Sequence, residues 1–196
     1  MTSRSLLVVL VVLVAVATGS SLLLAGVRST RTAVLAEIEQ QARSLAASAA
    51  AVVDPQLNEQ ARAGGAFETP PYRELESRLQ RLRDDWRESG IEVKYVFTLV
   101  PDASAESGFA YVIDAEEILD EKADVGEAFE VNAVEGRASA RFDPSEPISL
   151  FYSDRYGSFL SGFFPVKDAG GRTLFVTGVD LLVDSVEGTE AELMWS

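Results

Sequence analysis

Leu6–Val27 is an unbroken run of 22 residues without a charge, and it limits what the chain can become more than any other feature. At 1.5 Å per residue, a helix of that length crosses the ~30 Å hydrocarbon core of a bilayer. Two readings share the segment. One is a retained transmembrane anchor. The other is a signal peptide, with Ala15-Val16-Ala17 as a small-residue cleavage site. Leu22-Leu23-Leu24 carries the run past Ala17 and Arg28 closes it, which favours the anchor. A lipid-modified terminus is excluded, because Val27 stands where Leu24-Ala25-Gly26 would need a cysteine to follow. Flanking charge does not set the orientation, since Arg28 and Arg31 outweigh Arg4. The chain is therefore divided into an anchor, residues 1–27, and one domain, residues 28–196.

The domain is acidic. All 31 Asp and Glu lie beyond residue 36, and the net charge of the whole chain is −14. Binding nucleic acid needs a basic face, so DNA and RNA are excluded as partners, as is flat docking on an anionic lipid surface. The chain has no Cys and no His. Disulfides, thiolate chemistry and the usual structural zinc sites are thereby removed. Ser-His-Asp and Cys-His catalysis are removed with them.

Beyond the anchor, Ala-rich sequence to about Val53 reads as one long helix, with Val34, Ile38, Leu45 and Val52 on a stripe. That stripe fits a parallel homodimer seam or the domain's own sheet equally well. Asp54-Pro55 ends the helix, and Gln56–Glu68 reads as a polar connection. A second helix starts at Thr69-Pro70-Pro71, with Thr69 as its cap. Tyr72, Leu75, Leu79, Leu82 and Trp86 form its apolar face, opposite Arg73, Glu76, Arg83 and Arg87.

After Gly90 the period changes from 3.6 to 2. Val93–Val100 and Phe109–Asp114 read as strands. Ala115–Gly126 reads as a solvated acidic loop, and a short helix is expected near Glu127–Glu135. Two long β-rich runs, Phe159–Val166 and Thr173–Leu181, flank a hairpin turn at Lys167–Arg172. Helices first and strands afterwards give an α+β class, with about five antiparallel strands and the long helix packed across them.

Several pieces of the second half carry a family resemblance. Tyr95–Val100, Phe109–Asp114 and Val125-Gly126-Glu127 resemble the first half of a single Cache domain. Asp154–Val166 resembles that family's D-x-W-G-x-W-L-S-G-x-x-P-I stretch, with Tyr156 and Phe159 in place of its tryptophans. Asp168, Gly170-Gly171 and Gly178-Val179-Asp180 complete the order. The resemblance covers about Ala33 to Val186, and it lacks the two-module amino-acid-sensing signature. It implies a PAS-like fold, a pocket on the sheet face away from the long helix, and an extracytoplasmic sensor held by one helix in the cytoplasmic membrane.

On that resemblance the pocket is bounded by Tyr95, Tyr111, Tyr152, Arg155, Tyr156, Ser161 and Phe163, with no metal or cofactor. Aromatic walls with a few convergent polar groups suit a small ligand. Arg155 would clamp a carboxylate on it. Ser161 lacks the flanking glycines of a nucleophile elbow and has no His to serve it, so no enzyme is expected. Asp180 is read as the cap of a final helix, with a place in the pocket wall as the alternative. The cluster Asp114, Glu116, Glu117, Asp120, Glu121 and Asp124 lacks calcium-loop spacing. The expected function is ligand sensing, with occupancy passed through the terminal helices to an output carried elsewhere. The rival is a degenerate domain of the same fold that mediates dimerisation or scaffolding without a ligand.

Overall fold

A computed structural model describes residues 32–132, 134 and 142–182. The expected anchor, Leu6–Val27, lies outside the described residues, as do residues 183–196. Among the described residues no helix is long and apolar enough to cross a membrane. The chain divides into two units, residues 1–37 with 188–196 and residues 38–187. Of the first, only residues 32–37 are described, and they are helical.

Helix α1 covers residues 32–52, followed by α2 (Pro55–Gly64) and α3 (Pro70–Glu88). Five strands complete the order: β1 (Val93–Pro101), β2 (Phe109–Asp114), β3 (Ile148–Asp154), β4 (Gly157–Lys167) and β5 (Thr173–Leu182). They form one sheet in the order β2-β1-β5-β4-β3, antiparallel at every step. The α+β class, the five antiparallel strands and the helix packed on them are as the residue pattern predicts. β3 was not located in advance. Its run Ile148-Ser149-Leu150-Phe151-Tyr152 alternates over too few residues to stand out from its surroundings.

The sheet owes its contact with α1 to small residues. Ile38, Ala42, Leu45, Ala46 and Ala49 are buried, and the helix backbone lies directly on the strands. Thr177 Oγ1 donates to the Ala46 carbonyl at 2.7 Å, and Arg43 Nη1 donates to Ser149 Oγ at 2.6 Å. A side-chain carbon at Gly162 would fall 2.0 Å from the Ala42 carbonyl oxygen. Ile38 and Leu45 of the expected stripe are thus buried within the domain, while Val52 is half-buried and its carbonyl accepts from Arg78 on α3.

Two sequence expectations among the helices are corrected. Gln56–Glu68 is not a plain connection, since most of it is α2. Asp54 caps that helix, its Oδ1 accepting from Gln56 N at 2.8 Å and Leu57 N at 3.1 Å, and Pro55 occupies the first turn, where a missing N–H costs nothing. The same Asp-Pro pair that stops one helix starts the next. Arg83, assigned to the solvated face of α3, is 2 % exposed. Its guanidinium donates to the Ala115 carbonyl at 2.8 Å and pairs with Glu117 at 3.1 Å, tying α3 to the chain after β2. Thr69 stands at the cap position of α3, but its hydroxyl donates to Ala66 O instead of capping.

The short helix expected near Glu127–Glu135 is also absent from its described part. Its residues pair as strand edge instead: Phe129 N donates to Phe109 O and Tyr111 N to Glu127 O, while Asn132 and Ser153 exchange two backbone bonds. The segment therefore runs from the β2 edge to the β3 edge. It satisfies backbone groups at both edges and drops Phe129 into the core between them. A turn of 3-10 helix lies earlier, at Leu119–Glu121.

Register assigns the two faces of the sheet. Thr98, Thr177 and Gly162 meet the helices. Tyr95, Phe97 and Leu99 point the other way, opposite Asp180, Gly178 and Val176 on β5. One irregularity matters for this second face. Phe97 pairs with Asp114 and Leu99 with Tyr111, so β2 carries one extra residue between them. This bulge brings Tyr111 and Asp114, three apart in sequence, to the same face of the sheet.

Candidate functional site

The face away from the helices is built mainly of rings. Phe129 sits among them, with ring centroids 5.6 Å from Tyr111, 5.2 Å from Tyr152 and 5.7 Å from Phe163. Gly178 leaves the space that the Phe97 ring fills, since a Cβ there would lie 2.3 Å from it. Most contacts are tilted or edge-on, the arrangement aromatic quadrupoles prefer.

Where this aromatic layer meets the acidic loop after β2, a cavity of about 10 Å³ remains, room for a single water-sized group. Tyr95, Phe97, Tyr111 and Tyr156 form its apolar walls, and Asp114, Glu121, Asp154 and Asp180 bring four carboxyl groups to it. Each carboxyl is held by a different device. Asp114, at the end of β2, accepts from Glu116 N and Ala123 N, both at 2.9 Å, and so folds the loop over the cavity. Asp154 closes the β3–β4 turn by accepting from Tyr156 N at 2.7 Å. Asp180 receives Ser161 Oγ at 2.5 Å and Tyr152 OH at 3.0 Å. Glu121 stands at the rim, bound by Lys94 Nζ at 2.8 Å and Tyr95 OH at 3.1 Å.

Burial dominates the electrostatics. It raises the Asp114 carboxyl to about 6, against the lowering effect of its two backbone bonds. Asp154 is likewise pushed up to about 6 by burial. Asp180 is raised well above the ordinary carboxylate range, again by burial first, with its neighbouring hydroxyls pulling it down. The Tyr111 phenol is raised by burial and by the fields of Asp154, Asp180 and Asp114.

Of the residues expected to bound a pocket, Tyr95, Tyr111 and Tyr156 line this cavity. Tyr152 and Ser161 reach it through Asp180. Phe163 lies in the aromatic layer, 6.3 Å from Phe97. Arg155 stands outside. Its side chain is 59 % exposed, and its guanidinium pairs with Glu127 at 2.8 Å and with the Tyr156 hydroxyl.

Asp180 is corrected from helix cap to pocket wall, being a β5 residue 2 % exposed. The acidic run after β2 is corrected in part, since Glu117, Asp120 and Asp124 are exposed as expected. Asp114 and Glu116 are 5 % and 6 % exposed, and Glu116 Oε1 accepts from Glu117 N and Ile118 N, so the loop is organised around its own acids. A sequence signal for Asp180 existed in the alternation along Val176–Asp180, which puts it in phase with the inward residues.

A second, open cleft of about 490 Å³ runs along Ser107, Phe129, Asn132 and Phe142. It gathers fewer ionisable groups, and the small cavity is the better candidate. No family model matches the chain, and no curated protein matches it in sequence.

Proposed function

We propose that the chain is a Cache-type extracytoplasmic sensor module, held in the cytoplasmic membrane by Leu6–Val27 as a single-pass anchor. It binds a small molecule, performs no chemistry on it, and passes occupancy through its terminal helices to a signalling output carried elsewhere. One observation carries the reading: a small cavity between sheet and loop, on the face opposite α1, lined by three tyrosines, Phe97 and four acidic residues. A ligand that prefers one arrangement of loop and sheet shifts the population toward it, and ~1–3 kcal/mol of coupling is enough for a graded signal.

A thermal-shift screen of the full chain in detergent micelles, against small amines, carboxylates and neutral polar molecules, tests the reading. A ligand at about 100 times its Kd adds ~2.7 kcal/mol of stability, and Tyr111→Ala removes that gain. The anchor is tested separately by mass spectrometry of the membrane fraction, where the intact N-terminus is expected. A mature chain starting at Thr18 overturns it.

A second reading draws support from the small volume of the cavity. Packed this closely, the same fold would serve as a dimerisation or scaffolding domain without a ligand. It expects no stabilisation by any class of probe, and dimers in light scattering whatever is added.

A further inference from the structure

The geometry points to a protonated amine as the ligand class, its ammonium head seated in the small cavity between Asp114, Asp154, Asp180 and the Tyr111 hydroxyl. The inference rests on the sensor reading above and deepens it.

The first support is a set of acids without a counter-charge. Among the described residues, none of these three aspartates makes an ion pair. Their bonds come from backbone N–H groups and from the Ser161 and Tyr152 hydroxyls. The nearby cations are engaged elsewhere. Lys94 is bound to Glu121, Lys122 to Glu76 and Arg155 to Glu127. Lys122 is close enough to lower Asp114 somewhat, yet burial still wins there. An ammonium group would supply the missing positive charge and donate to two or three carboxyl oxygens.

The second support is independent of the acids. Tyr111 is 5 % exposed, and its hydroxyl has no hydrogen-bond partner among the described residues. Buried hydroxyls are normally paired, and leaving one unpaired is costly. Tyr111 lines the same cavity as Asp154, Asp180 and Asp114, and the fields of those three acids reach its hydroxyl. The phenol oxygen accepts from N–H, and the rings around it favour a cation over their faces. The fold already contains this mode in miniature: at the rim, the Lys94 ammonium lies 4.8 Å above the Tyr95 ring while Glu121 holds it.

Size and symmetry narrow the class. About 10 Å³ suits one nitrogen-centred head. The remainder of the ligand would leave past Glu121, Asp154 and Tyr156, the partly exposed members of the lining.

The test is calorimetric titration of the full chain in detergent at constant ionic strength. The probes are methylammonium, ethanolammonium, 1,4-diaminobutane and phenethylammonium, set against acetate, propionate and acetamide. Saturable binding is expected from at least one amine and from none of the other three. Asp154→Asn keeps an oxygen for the Tyr156 N–H and should weaken amine binding about tenfold or more, and Tyr111→Phe about threefold or more. Tyr111→Phe removes only an unpaired hydroxyl, so it should melt no lower than the parent chain. Binding of acetate, propionate or acetamide that Tyr111→Phe abolishes would overturn the amine assignment and leave the sensor reading intact. Amine binding that ignores both variants would place the ligand elsewhere and overturn the site. Silence from all seven probes, with the chain folded by circular dichroism, overturns the assignment and the sensor reading together.

Discussion

At Thr98 one hydroxyl serves two partners. Oγ1 donates to Asn58 Oδ1 at 2.8 Å and accepts from Ile113 N at 3.1 Å. Asn58 is 2 % exposed and Thr98 fully buried, so water cannot replace either bond. Thr98→Val keeps the shape and orphans both partners. It should destabilise the fold by about 1–3 kcal/mol, read as a lower urea midpoint at unchanged slope, while Thr98→Ser recovers most of the loss. Residues such as these resist prediction because a polar side chain inside an apolar strand gives no sign of its partner. The tyrosines were legible at this scale, since an aromatic in phase with a strand is committed to one face. Asp180 and Arg83 were misassigned for the opposite reason: average behaviour puts charged side chains in solvent, and each is buried against partners remote in sequence.

The junction between α1 and β4 is governed by a glycine. A Cβ at Gly162 would lie 2.0 Å from Ala42 O, 2.1 Å from Ala42 C and 2.6 Å from Arg43 N, all backbone atoms that no rotamer can move aside. Gly162→Ala must therefore push helix and strand apart. A loss of about 1–3 kcal/mol or more is expected. Amide exchange should rise first along residues 42–49, and faster exchange confined to β3 would contradict this account of the contact. Elements with a sustained period were readable from the sequence alone, as α3, β1, β4 and β5 illustrate. α2 was missed because Pro55 was read only as the end of what precedes it. The stretch after Gly126 was misread because its conformation is imposed by pairing with strand edges on both sides, a non-local cause that local pattern cannot express.

Across the whole molecule, buried acids set the response to pH. The folded-state value of Asp114 is about 6 against 3.8 for the free side chain. Below 3.8 folded and unfolded chains are both protonated there, and the stabilising contribution is complete. As pH rises through about 6, the folded form must ionise a buried group, and that contribution is lost. Stability should thus fall between pH 4.5 and pH 7, by about 2 kcal/mol from Asp114 alone, and Asp154 acts in the same direction. Asp102 and Glu121, whose values are lowered by hydrogen bonding, oppose the trend only when pH drops below their ordinary 3.8 and 4.5. Repulsion within a chain of net charge −14 adds to the trend. Asp114→Asn separates the two contributions, since repulsion persists in it while the Asp114 share vanishes. Urea titrations at the two pH values provide the measurement. A parent chain equally stable at both would rule out a buried Asp114 carboxyl.

The extra residue in β2 makes the cavity a matter of parity. Tyr111 and Asp114 are separated by an odd step, and only an odd irregularity in the ladder reconciles that step with one shared face. Removing a residue between them would restore a regular strand with both still on one face, whereas straightening the ladder at its present length would turn one of the two toward the helices. Substitution at Val112 changes a side chain, whereas loss of the bulge at unchanged length rewires the cavity. Among chains sharing this architecture, step and bulge are consequently tied together: an odd step between these two positions requires the irregularity, and an even step lines the same cavity without it.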